Sequence, residues 1–319
     1  MKILVAGGAG FIGSHLCERL LKNGHEVFCV DNLITGNKRN IEPFLKKKNF
    51  KFVNWDVSQR PSQEIAGERF DAIFHLASPA SPNPESPLSY LHYPAETLFA
   101  NSLGTFNLLE LANQDKAKFL FASTSEIYGE PQVAPQPETY WGNVNPNGIR
   151  SCYDEAKRFG EAMTMVFVRR FKVDARIVRI FNTYGTRMDK HDGRVIVNFI
   201  NQVLNKKPLT VYGKGQQTRS FCYIDDTIEG LMRAMFKKRT EGEVFNIGND
   251  EEHTVLQMAK LVTKLVNNNK TKIIYKPLPI DDPSNRCPDL SKAKKILNWQ
   301  PKVPLKEGLQ KLIEYFNNG

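Results

Sequence analysis

Tyr153 and Lys157 stand four residues apart in the segment CYDEAKRFGEA, an interval that sets a phenol and an ammonium on one face of a helix. A cation beside a phenol stabilises the phenolate and draws the tyrosine pKa towards working pH, which a general base requires. Tyr-x-x-x-Lys also arises by chance on many helices, so the pair needs a setting before it means chemistry. Shortly upstream, Phe119–Gly129 reads FLFASTSEIYG.

The setting is a nucleotide cradle at the start of the chain. Ile3–Gly13 reads ILVAGGAGFIG, a strand that runs through Gly7-x-x-Gly10-x-x-Gly13 into a helix. The three glycines suit a tight turn, close backbone approach to a pyrophosphate, and close packing of helix on strand, with the helix N-terminus facing the phosphates. Asp31 ends the second strand near the ~20-residue interval expected for an acid that grips the adenosine ribose. Its carboxylate would accept from both ribose hydroxyls and repel a 2′-phosphate, which favours NAD over NADP. Lys38 and Arg39 argue the other way, but they lie further into the loop and read as solvated charges. Asp56 and Val57 follow the third strand and, by the same geometry, face the adenine. Beside a dinucleotide fold, the Tyr153/Lys157 pair reads as catalytic.

The elements that must hold these groups alternate. Lys2–Ala6, Glu26–Val30, Phe50–Asn54, Ala72–His75, Phe119–Ala122 and Ala175–Ile180 read as strands; Phe11–Lys22, Ala95–Ala112 and Tyr153–Phe171 read as helices. Continuous apolar strands separated by helices predict a parallel sheet covered on both faces. The fold class is α/β, a Rossmann-type doubly wound sheet with a smaller C-terminal substrate-binding lobe. The expected division is a dinucleotide-binding domain at 1–185, with 221–248 returning to it, and a lobe formed by 186–220 and 249–319. In Thr254–Val266 an apolar stripe of Val255, Met258, Ala259, Val262, Leu265 and Val266 reads as core-facing. Ligands tend to bind in a cleft between lobes.

Composition narrows the alternatives. The 319 residues are 41% hydrophobic and 24% charged, ordinary values for a globular protein. No apolar run reaches the ~18 residues of a membrane span, and MKILVAGGAG meets glycine before a signal-type apolar region forms. A soluble, cytoplasmic protein without membrane contact is expected. Cys17, Cys29, Cys152, Cys222 and Cys287 include no C-x-x-C pair and read as reduced thiols. The six histidines form no metal-ligand motif such as H-E-x-x-H, so no metal is expected. The net charge of +10 is spread along the chain and does not form a basic stripe interleaved with aromatics, which argues against nucleic acid and suits a polyanionic small ligand. The prolines of Ser78–Pro87 shape a loop.

Taken together, the motifs resemble the extended short-chain dehydrogenase/reductase superfamily and, within it, the UDP-glucuronate decarboxylases (UDP-xylose synthases) over essentially the whole chain. HLASPASP (His75–Pro82), ASTSEIYG (Ala122–Gly129), ETYWGNVNP (Glu138–Pro146), CYDEAKRFGEA (Cys152–Ala162), RIFNTYG (Arg179–Gly185), DGRV (Asp192–Val195), PLTVYGKGQQTRSF (Pro208–Phe221) and NRCPDL (Asn285–Leu290) carry the resemblance. It implies that Thr124 and Tyr153 hold the sugar 4-hydroxyl, with Tyr153 as base and Lys157 also gripping the nicotinamide ribose. It sets Ser125, Glu126 and Arg286 around the hexuronate carboxylate and carbon 5. NAD would be held by Gly7, Gly10, Phe11, Ile12, Gly13, Asp31, Asn32, Asp56, Val57, Leu76, Ala77, Ser123, Tyr153 and Lys157. Tyr90, Asn182, Arg194, Thr210, Tyr212, Gln217, Arg219 and Arg286 match substrate-binding positions. The chain departs from the commonest pattern at Asn147-Gly148-Ile149, Thr186 and Cys287, none of which removes a catalytic group.

The resemblance implies NAD-dependent decarboxylation of UDP-glucuronate to UDP-xylose through a 4-keto intermediate, with the cofactor recycled. A nucleotide-sugar 4,6-dehydratase also begins by oxidation at carbon 4, but that family carries Asp-Glu where this chain has Ser125-Glu126, and serine is too weak an acid to expel a hydroxyl. A 4-epimerase needs only the Thr, Tyr and Lys set. A non-catalytic dinucleotide sensor or scaffold on the same fold is the alternative of another class, and the intact catalytic set speaks against it. The helical stretches Ala95–Ala112 and Tyr153–Phe171 pair with their copies in related enzymes, which implies a homodimer.

Overall fold

The computed structural model describes residues 1–267, 271–278 and 283–318. Its first part runs β1 (Lys2–Ala6), α1 (Phe11–Lys22), β2 (Glu26–Val30), β3 (Phe50–Val53), α2 (Gln63–Ala66), β4 (Ala72–His75), α3 (Pro94–Asn101), α4 (Leu103–Asp115), β5 (Lys118–Thr124), α5 (Ser151–Val166) and β6 (Ala175–Ile180). There follow β7 (Thr183–Tyr184), α6 (Val195–Leu204), β8 (Leu209–Tyr212), β9 (Thr218–Ser220), β10 (Cys222–Tyr223), α7 (Ile224–Phe236) and β11 (Val244–Ile247). The chain ends through β12 (Glu252–Thr254), α8 (Val255–Leu265), β13 (Ile273–Lys276) and α9 (Leu305–Asn318).

Seven strands form one parallel sheet in the order β11-β6-β5-β4-β1-β2-β3. The chain builds outward from β1 through β2 to β3, then returns to the other side of β1 with β4 and builds outward again. Strand order therefore reverses between β1 and β4, and a crevice opens at their carboxyl ends, where α/β sheets bind ligands. The apolar strand residues explain why the sheet is central: Ile3, Leu4, Val5, Ala72, Ile73, Phe74, Phe119, Leu120 and Phe121 are all fully buried. Beyond the sheet, β8 pairs with β13 and β9 with β12, while α6 packs on α8. Thr254 caps α8 by a reciprocal box with Gln257, and Val255, Met258, Ala259 and Val262 are buried as the stripe predicts; Leu265 and Val266 are only partly buried.

Three boundaries differ from the sequence reading. The sheet strand β5 extends to Thr124, so its polar end belongs to the strand. The helix expected over Ala95–Ala112 is two helices that break at Ser102 (φ −108°, ψ −79°). The fully buried His75 donates from Nε2 to the Ala100 carbonyl at 3.1 Å, and the Ser102 hydroxyl donates back to Leu98 O at 2.7 Å. The Leu98 carbonyl keeps its ladder bond from the Ser102 amide at 2.9 Å, while the side-chain bond to the Ala100 carbonyl competes with the ladder beyond the break. Thirdly, α5 starts at Ser151, and its continuation Phe167–Phe171 is a widened π turn that stops where Lys172 takes φ +59°. Gly160 lets α5 lie close on the sheet, since a Cβ there would fall 2.2 Å from the Phe121 ring.

Candidate active site

A cleft of about 820 Å³ opens at the carboxyl ends of β1, β4 and β5 and is walled on its far side by β8, β9 and the start of α6. Its cradle follows from the glycines. Gly7 takes φ +77°, and a Cβ there would fall 2.7 Å from the Leu76 backbone, so the turn after β1 lies directly against the end of β4. A Cβ on Gly13 would strike the Gly7 carbonyl at 2.0 Å. Gly10 caps α1 with no side-chain bond, which leaves first-turn amides without intrahelical acceptors at the cleft wall. Bare amides at a helix N-terminus fit a dinucleotide pyrophosphate. Gly7, Gly10, Phe11, Ile12, Gly13, Leu76, Ser123, Tyr153 and Lys157 all line the cleft as expected.

Asp31, Asn32, Asp56, Val57 and Ala77 are not among the lining residues. Asp31 accepts from the Ala9 amide at 2.9 Å and the Leu33 amide at 2.8 Å, and Gly36 closes over its carboxylate. Its immediate work is to brace the glycine turn, and burial raises its pKa against those amide bonds. Asp56 accepts from Asn32 at 3.3 Å and from Ser58, and Val57 packs against Gly104. Lining positions come instead from the loop after β2: Thr35, Asn37, Arg39 and Asn40. Arg39, read as solvated from the sequence, therefore faces the cleft, whereas Lys38 lies over the Phe52 ring at 5.7 Å. Asp31→Asn, which keeps the size but removes the charge, is expected to narrow the preference for NAD over NADP by about tenfold, read by titration of both dinucleotides. An unchanged ratio would assign the choice to the Arg39 loop.

The reacting groups meet where α5 crosses the end of β5. The Thr124 hydroxyl hydrogen-bonds the Tyr153 phenol, while Lys157 Nζ donates to the Ala122 carbonyl at 2.8 Å and lies 5.8 Å from the Tyr153 ring centre. Burial pushes the Tyr153 phenol up to about 12, opposed mainly by Thr124 and then by Arg194, and burial pushes the Lys157 ammonium down to about 7. Thr124 is thus the main group that works against burial at the phenol. Tyr90, expected to touch substrate, is fully buried and stacks flat on Tyr153 at 4.8 Å. It is a platform that fixes the plane of the Tyr153 ring.

Next to the phenol lies a buried charge cluster. Glu126, in the 3-10 turn Ser125–Tyr128, is met by Arg286 through both guanidinium nitrogens, NH2 to Oε2 at 2.9 Å and NH1 to Oε1, and by Arg150 NH2. Burial alone would raise this carboxyl, but Arg150 and Arg286 outweigh it and hold it below the ordinary carboxylate range. Asp154, facing the same cluster, is raised by burial and by the Glu126 charge. Arg286 lines the cleft as expected, but its fork is turned to Glu126 and not presented open for a ligand carboxylate. Ser125 lines the cleft beside it.

Asn182, Arg194, Thr210, Tyr212, Gln217 and Arg219 form the opposite wall, as the resemblance implies. Asn182 Nδ2 is buried and makes no hydrogen bond, Gln217 donates to Tyr212 O at 2.9 Å, and Gln202 holds Thr210 through its amide and hydroxyl. Ser81 and Ser86 donate to the carbonyls of Asp192 and His191, and Asn83 to Gly193 O at 3.1 Å, joining the proline-rich loop to the far wall. Sequence reasoning missed Arg150. Its signal was a basic residue just before a helix that carries Asp154 in its first turn. Among the described residues, no helix is long and apolar enough to cross a membrane, and no group of three His, Cys, Asp or Glu side chains is placed to hold a metal.

Comparisons with known proteins agree with this geometry. The family model described as GDP-mannose 4,6 dehydratase matches residues 4–312. A Danio rerio protein named UDP-glucuronic acid decarboxylase 1 is 48% identical over 316 residues, covering 99% of this chain and 72% of its own. A UDP-glucose 4-epimerase from Thermotoga maritima superposes with TM-score 0.90 at 34% identity, covering 100% of this chain and 99% of its own. The UDP-glucuronic acid 4-epimerase of Bacillus cereus, solved with UDP-glucuronic acid and NAD, gives TM-score 0.87 at 32% identity, with coverage of 100% and 99%.

Proposed function

Because the chain belongs to the UDP-glucuronic acid decarboxylases within the GDP-mannose 4,6-dehydratase family, we propose that its cleft turns UDP-glucuronate into UDP-xylose and carbon dioxide, with NAD recycled. The observation that carries this reading is the joint placement of Thr124, Tyr153 and Lys157 beside the glycine cradle, with the Ser125, Glu126 and Arg286 group next to them. Gly7, Gly10 and Gly13 would hold NAD, which when bound would supply reversible hydride chemistry at sugar carbon 4 without being consumed. Tyr153, aligned by Thr124 and its stack on Tyr90, takes the 4-hydroxyl proton. The ketone so formed is β to the carboxylate, carbon dioxide leaves, and the electrons collect as an enolate. Protonation at carbon 5 and reduction at carbon 4 give the pentose.

Arg194, Arg219 and Asn182 suit the diphosphate and uracil, whose charge and amide edge need donors in a cleft that excludes water. Ser125 favours decarboxylation over dehydration, because a carboxylate there would repel the uronate. Incubation with UDP-glucuronate and product identification by NMR tests the reading: UDP-xylose and carbon dioxide are expected, and UDP-galacturonate alone would replace it with epimerisation.

A homodimer fits the surface. Leu98 and Phe99 on α3, Leu103 and Phe106 on α4, and Phe159 and Val166 on α5 are each 41–50% exposed. Clustered exposed apolar side chains of this size mark an interaction surface, and neighbouring helices suit an isologous four-helix contact. Sedimentation at micromolar concentration should give a dimer, and Phe99→Glu with Phe159→Glu a folded monomer. A monomeric wild type would end this part of the reading.

A further inference from the structure

Beneath the reacting groups, α5 is fastened to the end of β5 by three side chains spaced four apart, and so stacked along one helix face. Tyr153 meets Thr124, Lys157 meets the Ala122 carbonyl at 2.8 Å, and Glu161 Oε1 accepts from Ser123 Oγ at 2.6 Å. Tyr153 and Lys157 line the cleft, whereas Glu161 is not among the lining residues. It turns to Arg179 on β6, which donates from Nε to Oε1 at 2.9 Å and from NH2 to Oε2 at 2.8 Å. Arg179 is held in turn by the Tyr128 hydroxyl and the Glu138 carbonyl, each at 2.9 Å. The mechanism above does not use this pair. A largely buried ion pair is weak support for stability, because desolvation offsets much of its attraction. Its place one turn beyond Lys157 calls for another account.

We propose that Glu161, oriented by Arg179, is a positioning residue for the reaction: it fixes Ser123 next to Thr124 and sets a negative charge one turn beyond Lys157 on the same helix face. The proposal rests on the reading of Tyr153 as base. The titratable groups that face Lys157 are Tyr153, 5.8 Å from its Nζ at the ring centre, and Glu161 on α5, and His75 on β4, whose Nε2 lies 3.1 Å from the Thr105 hydroxyl. His75 is driven down to about 3 by burial, then by the Lys157 charge, so it stays neutral and adds no charge of its own near neutral pH. Burial works against the Lys157 ammonium and Glu161 opposes it. Removing the Glu161 charge must therefore let Lys157 lose its proton at lower pH, and activity should fail earlier on the alkaline side.

Glu161→Gln in the full-length enzyme tests this, read in two ways. Amine-reactive labelling of Lys157 across pH, followed by mass spectrometry, should show its titration midpoint moving down by about one unit, and the alkaline limb of kcat should move with it. At a pH on that limb, kcat should be roughly tenfold below wild type, with KM for UDP-glucuronate changed less than about twofold. Glu161→Asp should bring the midpoint most of the way back. If Glu161→Gln lowers Tm but leaves both the midpoint and the limb in place, the pair is scaffold only and the proposal is overturned. Should the single variant not fold, Glu161→Gln with Arg179→Met removes an opposing charge as well, so the midpoint should still move down but by less, and an unmoved midpoint overturns the proposal. Labelling does not depend on turnover, so a wild type that released no carbon dioxide would sink the decarboxylase reading without deciding this one.

Discussion

Tyr153→Phe should lower turnover of UDP-glucuronate by more than the ~10²–10⁴ typical of a lost acid–base group, while the protein folds and retains its dinucleotide. The ring is the part that packs: it is 6% exposed and stacks on Tyr90 with the two planes 4° apart. Phenylalanine keeps that stack. What is lost is the oxygen that Thr124 aligns, and the neighbouring groups offer no replacement. Lys157 is committed to the Ala122 carbonyl, and Glu126 is neutralised between two arginines. The loss should exceed a simple acid–base effect because oxidation at carbon 4 precedes every later step. Loss of UDP-glucuronate followed by NMR, with bound nucleotide read by absorbance after purification, checks both halves. Turnover within tenfold of wild type would remove Tyr153 from the mechanism.

Arg286→Lys is expected to cost about 10² or more in kcat/KM with UDP-glucuronate and to leave UDP affinity within about twofold. Lysine keeps one positive charge but not the planar fork. In the structure that fork grips both oxygens of Glu126, so the variant frees one face of a buried carboxylate. Arg286→Ala goes further and breaks a buried pair outright, a change that costs ~3–5 kcal/mol in comparable settings, so its Tm should fall as well. The contrast with UDP is the deciding measurement. If UDP weakens in step with UDP-glucuronate, Arg286 serves the diphosphate; if only the uronate suffers, it serves the end of the site where carbon dioxide departs. Full activity in Arg286→Lys would show that charge alone suffices there.

How much of this was legible beforehand depended on how local the cause was. The parallel sheet, the glycine turn and the Tyr153/Lys157 face follow from periodicity and spacing along single segments, and their residues lie where the sequence puts them. Harder to read were the contacts that the folded chain gives each side chain. Asp31 was given to a ribose because its place after β2 suits one, yet two amides of the neighbouring loops claim its oxygens. Tyr90 was assigned to substrate, but 63 positions on Tyr153 covers it with an aromatic face. Arg286 and Glu126 hold each other across 160 residues, and nothing in the chain announces that pair. The break at Ser102 was equally hidden, since it depends on His75 reaching up from the sheet to a helical carbonyl.

The two walls of the cleft are joined largely by Ser81, Asn83 and Ser86 giving uncharged hydrogen bonds to main-chain carbonyls, with Arg194 donating to Ala80 O at 3.2 Å and an exposed Glu85–Lys276 pair at 3.5 Å as charged additions. Dissolved salt screens charges but barely affects such neutral bonds. An anionic nucleotide sugar, in contrast, would be drawn by charge to a cleft lined by Arg194, Arg219 and Arg286, and that attraction weakens as ionic strength rises. The shape of the cleft and its hold on an anion are therefore separable: a saline medium loosens the ligand while leaving its container intact.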